Sequence, residues 1–261
     1  MRLLLTTLGR PHGQRTLVNM MEENWDLVTL VVQPHEEDYM RWAWPGLDML
    51  VLPPEINTLG KTRAWLLRNT RKRFGPRICL LDDDLNWYYR PDPSRTNLRY
   101  PENPQIIRTM FSDLGDALND YAHALISARE GNGHIQEEYL TNVRYMRCLA
   151  YNTDMIPESV SPRVDGMSDF DVNLQLLRRG LESFIWYKYS QGQPGTATKG
   201  GMEDQRDHLT HANEIRKMCE LHPRYVKQKM KFNKTGGEFG ARLEVIIKWK
   251  EAFRHADLAS E

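Results

Sequence analysis

Four short apolar runs, residues 3–8, 27–32, 49–52 and 78–81, constrain the fold more than any other feature of the chain. Each is a few residues long, rich in leucine or β-branched side chains, and stops at or near a Gly, Pro or Asp, which describes strands buried on both faces better than helices. Residues 62–74, between the third and fourth runs, carry alanine, tryptophan and paired leucines followed by arginines, and predict a helix. Strands alternating with helices imply an α/β fold around a mostly parallel sheet. Ligands of such sheets sit beyond the carboxyl ends of the strands, so Gly9-Arg10, Gln33-Pro34, Pro53-Pro54 and Asp82-Asp83-Asp84 are the informative exits.

Further along, residues 90–105 are rich in Pro, Arg and Asn and read as an exposed loop. Ile107, Met110, Leu114, Leu118, Tyr121 and Leu125 recur at intervals of three and four, predicting one amphipathic helix over 106–126. Strands are expected at 146–151 and 184–189, and a helix at 170–179 closed by Gly180. Residues 192–201 hold four glycines and a proline and read as a mobile loop, after which 203–221 predicts a helix. At 261 residues the chain suits one domain with a small appendage, divided here as a catalytic domain over 1–190 and an extension over 191–261. Two complete nucleotide-binding halves would not fit.

Equal numbers of basic and acidic residues, 35 each, cancel to a formal charge of zero. Locally the balance fails: nine cations against three acids give residues 222–254 a net charge of +6. Cys79, Cys148 and Cys219 form no CxxC pair, and the chain shows neither a signal-like segment nor a run approaching the ~18 apolar residues of a membrane span. The expectation is a protein of the reducing cytoplasm without a membrane partner.

The chemistry concentrates in two acidic stretches. Asp82, Asp83 and Asp84 leave a buried strand together, and adjacent carboxylates repel unless a cation neutralises them; oxygen ligands suit Mg²⁺ or Mn²⁺. A solvated turn with acidic helix caps is the competing reading. The second stretch, Asp165-Gly166-Met167-Ser168-Asp169-Phe170-Asp171, opens a helix, where acids are favoured by the dipole alone, yet one aimed across the sheet edge could take a proton from an acceptor hydroxyl. Gly60-Lys61-Thr62 is no phosphate loop, because Glu55 stands where that motif needs glycine; Lys61 and Arg63 can still meet an anion at a helix start, as can Arg10 after the first strand. Trp87, Tyr88, Tyr89 and Arg90 follow the acids and precede Arg95, Arg99 and Tyr100, a grouping suited to stacking and phosphate contact, although Trp87 or Tyr88 would serve equally in a core.

Strands, acid triplet and acid-rich helix start together resemble the GT-A class of nucleotide-sugar glycosyltransferases. More narrowly, Thr6-Thr7-Leu8-Gly9-Arg10-Pro11, Gly60-Lys61-Thr62-Arg63-Ala64, Leu81-Asp82-Asp83-Asp84-Leu85 and Ser168-Asp169-Phe170-Asp171 resemble the TET-associated and base J-type DNA glycosyltransferases. The resemblance implies a GT-A-like sheet over about residues 1–190. It further implies Asp82 at the nucleoside, Asp84 on the metal and Asp83 assisting, with Thr7, Arg10, Lys61 and Arg63 around the donor. Ser168 departs from the acid usual at its position, which leaves Asp169 as first candidate for base and Asp171 as second. A late histidine often completes such metal sites, and His208 and His211 are the candidates, with a structural role as the alternative.

The resulting expectation is a Mn²⁺- or Mg²⁺-dependent transferase moving a hexose from a UDP-sugar, UDP-glucose first, to a 5-hydroxymethylpyrimidine in DNA with inversion. Trp87, Tyr89, Arg90, Arg95, Lys229 and Lys231 are its expected DNA contacts. A transferase acting on a soluble glycan or protein and a metal-dependent nucleotidyltransferase or nuclease are the alternatives.

Overall fold

Leu3, Leu4 and Leu5 are completely buried although they point alternately to opposite sides, Leu3 and Leu5 into one core and Leu4 into another. Apolar surface on both faces is what drives the first strand to the middle of a sheet, and each fully buried leucine contributes roughly 1.5–3 kcal/mol of transfer free energy. In a computed structural model that describes residues 1–10, 12–193, 208–232 and 241–256, the chain runs β1 (Arg2–Thr6), α1 (Arg15–Met20), β2 (Val28–Val32), α2 (Glu37–Ala43), β3 (Asp48–Val51), α3 (Leu59–Asn69), α4 (Arg71–Phe74), β4 (Arg77–Leu81) and β5 (Asn86–Tyr89). It continues as α5 (Pro104–Ala117), β6 (His123–Ala128), the short irregular turn α6 (Arg129–Asn132), β7 (Tyr139–Thr141), β8 (Cys148–Asn152), α7 (Ser168–Leu177), β9 (Ser183–Gly192), α8 (His208–Leu221), β10 (Val226–Phe232), β11 (Ala241–Ile247) and α9 (Trp249–Arg254).

The large sheet has the order β3-β2-β1-β4-β8-β6-β9-β5, with β7 also paired to β9. From β3 to β4 every pairing is parallel; β8 then enters antiparallel between β4 and β6, and β9 runs parallel to β6. Helices cover both faces. Leu17 and Met20 of α1 and Ile107, Met110, Phe111 and Leu114 of α5 fill one core, while Leu66 of α3 and Val172 and Leu176 of α7 fill the other. This is the α/β architecture expected of the sequence.

Two expected elements are redrawn. The helix expected over 62–74 begins earlier and is divided into α3 and α4 at Thr70. The helix expected over 106–126 ends at Ala117, because residues 118–121 turn and 123–128 become β6, whose first five residues are buried. Tyr121 and Leu125 keep the helical interval by coincidence, across a turn.

The carboxy-terminal segment does not stand apart from the rest. Ile215 and Met218 of α8, Val226 of β10 and Ala252 of α9 share a core with Met167, Leu174 and Leu177 at α7. Strand β9 also crosses residue 190. No helix among the described residues is long and apolar enough to cross a membrane.

Candidate active site

The acid turn is held by the loop that leaves β1. Thr7 Oγ1 donates to Asp83 Oδ2 at 2.9 Å, Arg10 donates to Asp83 Oδ1 at 2.7 Å, and Gln14 Nε2 locks both by donating to Thr7 Oγ1 and to the Arg10 carbonyl. Thr16, at the start of α1, donates to the Asp82 carbonyl and accepts from the Leu85 amide. Gly9 takes φ +68°, a left-handed turn that favours glycine, and its amide donates to Glu36. The exits of β1, β2 and β4 are thereby tied together, as the parallel register requires.

Within this frame the three aspartates part company. Asp83 is 7% exposed and occupied by Arg10 and Thr7. Burial raises its pKa, with Arg10 and the Thr7 hydrogen bond opposing and Asp84 adding to the rise. Asp82 keeps 28% of its side chain open and receives Arg63 at 3.1 Å. Burial pushes the Asp82 carboxyl up to about 6, against the pull of Arg63, with Asp84, Asp169 and Asp83 adding like-charge repulsion. Asp84 accepts from Gln193 Nε2 at 2.9 Å through Oδ2 and lies 3.6 Å from Arg10, while its Oδ1 is buried without a hydrogen-bond partner among the described residues.

The second acidic stretch meets the first through Arg63. From α3 this buried guanidinium donates to Ser168 Oγ at 2.7 Å on one side and to Asp82 on the other. Ser168, a departure from the related motif, is therefore the fastening point that brings the start of α7 to the acid turn. Asp169, the next residue, is near enough to raise the Asp82 pKa and has no ion-pair partner among the described residues. Among the described residues its Oδ1 accepts only from the neighbouring Phe170 amide.

Several expected site residues work elsewhere. Asp171 is fully buried: Arg163 and Gln175 donate to it, and His222 Nε2 lies 2.8 Å away. Burial works against its charge, but the His222 and Arg163 hydrogen bonds win and hold its pKa below the usual range, so Asp171 anchors α8 rather than serving as a base. Trp87 is 1% exposed and meets Phe111 edge-on, and Tyr89, on the same face, donates to Glu102. Arg90 is buried and donates to Asn132 and to the Ile135 carbonyl, which makes it a clamp on the α6 turn and unavailable to DNA. Arg63, expected at the donor, is engaged by Asp82 and Ser168. Arg95 is exposed and pairs with Asp92, and Lys61 lies on the surface against Asn57.

Of the late residues, His211 is bound to the Leu243 carbonyl, whereas the side chains of His208 and Lys231 lie outside the described residues. Lys229 is exposed on β10 opposite Glu244. The loop expected over 192–201 lies outside the described residues beyond Gln193. Gln14, Thr16 and Gln193 escaped the sequence reading, since at these positions a neutral side chain carries no signal until its partners are known.

No three His, Cys, Asp or Glu side chains converge on a metal-sized point among the described residues. The triplet is thus no three-carboxylate cage. What fits a hard cation is narrower: the unpartnered Oδ1 of Asp84 and the open, charge-crowded Asp82, an oxygen-only pair that donor phosphates and water would have to complete.

No curated protein matches the sequence. Among solved structures, a protein described as a nucleotide-diphospho-sugar transferase from Desulfovibrio desulfuricans is 14% identical, covering 85% of this chain and 97% of that one at a TM-score of 0.46. The mannose-1-phosphate geranyltransferase of Thermus thermophilus is also 14% identical, covering 85% of this chain and 67% of that one at a TM-score of 0.35. The decisive match is to a family model, and it spans the acid turn, the tethered start of α7 and all nine strands of the large sheet: over residues 1–202 the chain belongs to the TET-associated glycosyltransferases, and it is a glycosyltransferase.

Proposed function

We propose that the enzyme transfers a hexose from a UDP-sugar to the hydroxymethyl oxygen of a 5-hydroxymethylpyrimidine in DNA, with inversion, in the cytoplasmic setting that three free cysteines suit. The observation that carries this reading is Asp169, an acid without an ion-pair partner among the described residues, fixed beside Asp82 by the Arg63–Ser168 tether. A base needs that combination of availability and placement.

Asp169 accepts the hydroxymethyl proton while the oxygen attacks the anomeric carbon from the side opposite the diphosphate. The new carbon–oxygen bond forms as the bond to the diphosphate breaks, and UDP carries the electron pair away. Asp84 and Asp82 would hold Mn²⁺ or Mg²⁺, and that ion supplies charge neutralisation of the departing diphosphate. Arg10 and Arg63 keep the acid turn from flying apart by charge, and Lys61 remains at the mouth for a phosphate. A base inside a duplex cannot reach such an edge, so the acceptor enters extruded or single-stranded. In this reading the segment over 191–261 completes the site with Gln193 and offers Lys229 to the phosphate backbone.

Mass spectrometry of hydroxymethylated and unmodified DNA, after incubation with a panel of UDP-sugars and Mn²⁺, tests the reading. Hexose addition to hydroxymethylated DNA alone, abolished by chelation, is the expected result. Addition to a soluble glycan but to neither DNA would overturn the acceptor assignment, and DNA nicking without any sugar donor would overturn the reaction.

A further inference from the structure

The rim beside Asp84 carries a ring assembly that neither the core nor the donor chemistry uses. Tyr88 points away from the Trp87–Tyr89 face and is 3% exposed; its ring lies 4.6 Å from that of Tyr100, and its hydroxyl donates to the Tyr100 oxygen at 3.1 Å. Arg129 sits 4.7 Å from the Tyr88 ring centre and donates to its hydroxyl at 3.2 Å. Gly192 closes against both: a Cβ there would stand 3.0 Å from Tyr88 Cε2 and 3.5 Å from Arg129 Cβ. The next residue, Gln193, is the one that donates to Asp84. The assembly is therefore joined to the active-site acid through one residue of backbone.

Tyr100 is the outward face of this assembly, 60% exposed yet held in place by ring contact and hydrogen bond. Exposed, positioned rings are a stacking surface. The charge beside it is one-sided. Arg129 is exposed and has no acid partner among the described residues, while Glu130, next to it, is taken by Arg147. A π-face beside a guanidinium that has no acid partner among the described residues matches a base and its phosphate better than an apolar peptide, which would leave that cation unmatched.

We propose that Tyr100, backed by Tyr88 and Arg129, is the stacking surface for an unpaired nucleobase of the acceptor strand. The inference rests on the DNA-acceptor reading above and replaces Trp87 and Tyr89, which the fold keeps for itself, as its aromatic contacts. Arg129 receives the adjoining phosphate, so binding weakens as salt rises.

The test uses single-stranded oligonucleotides carrying the fluorescent base 2-aminopurine, titrated with the wild-type chain, Tyr100→Ala and Tyr100→Phe, all checked for an unchanged melting temperature. Stacking should quench the probe with the wild type and with Tyr100→Phe, and Tyr100→Ala should weaken binding about tenfold or more. Equal binding and quenching by Tyr100→Ala would overturn the proposal, as would Tyr100-dependent binding of a soluble oligosaccharide in place of DNA. Hexose transfer to hydroxymethylated DNA, measured alongside, separates the two layers. If the wild type transfers and Tyr100→Ala shows the same acceptor KM, the platform falls while the DNA reading stands. Tyr100-dependent quenching with no transfer by the wild type leaves the platform standing and removes the reaction.

Discussion

The turn after β4 and the start of α7 each bring three aspartates to the same edge of the sheet, and the two regions spend them differently. In the first, Asp83 is consumed by Arg10 and Thr7, while Asp82 stays part-open against Arg63 and Asp84 keeps an oxygen unpartnered among the described residues. In the second, Asp165 accepts from Thr58 and from the Gly60 amide at the start of α3, and Asp171 is locked to Arg163, Gln175 and His222. Among the described residues, Asp169 alone of the three has neither a cap to make nor a cation to hold. An acid's partners, rather than its neighbours in sequence, decide whether it is available for chemistry.

Replacing the acids one at a time breaks this comparison in order of effect. Asp171→Asn should be the most disruptive to the fold: it leaves the Arg163 charge and His222 without their buried carboxylate, at a cost of about 3–5 kcal/mol in denaturant unfolding. Asp82→Asn should do the opposite. A carboxyl whose folded pKa is raised from 3.8 to about 6 binds its proton more tightly when folded, so stability from this group is lost as pH rises across that interval. The asparagine chain, without metal or donor, should be more stable than wild type by roughly 1–3 kcal/mol at pH 7–8 and no more stable near pH 4. Asp165→Ala should cost least, ~1 kcal/mol for a lost helix-start acceptor, read as a small drop in melting temperature.

Much of the scaffold is legible in the sequence. Strands β1 to β4 are short apolar runs that read as strands rather than helices, and their exits pointed to the acid turn. Less legible was β6, because Tyr121 and Leu125 extend the interval of α5 across a turn that no periodicity marks. In the site, the strand exits placed Asp82, Asp83 and Asp84, but the division of labour at α7 depends on Arg163 folding back and on His222 arriving from beyond α8. The aromatic run shows the same limit: alternation along β5 separates Trp87 and Tyr89 from Tyr88, but which face meets the core is decided by Phe111, far away in sequence.

The central claim, that Asp169 is the one acid of the second stretch left for catalysis, is tested most directly by Asp169→Asn. Sugar transfer and UDP-sugar binding should be measured on the same folded preparation. Transfer should fall by about two to four powers of ten while the melting temperature and donor affinity stay at wild-type values. Wild-type transfer rates in Asp169→Asn, on folded protein with normal donor binding, would contradict the account.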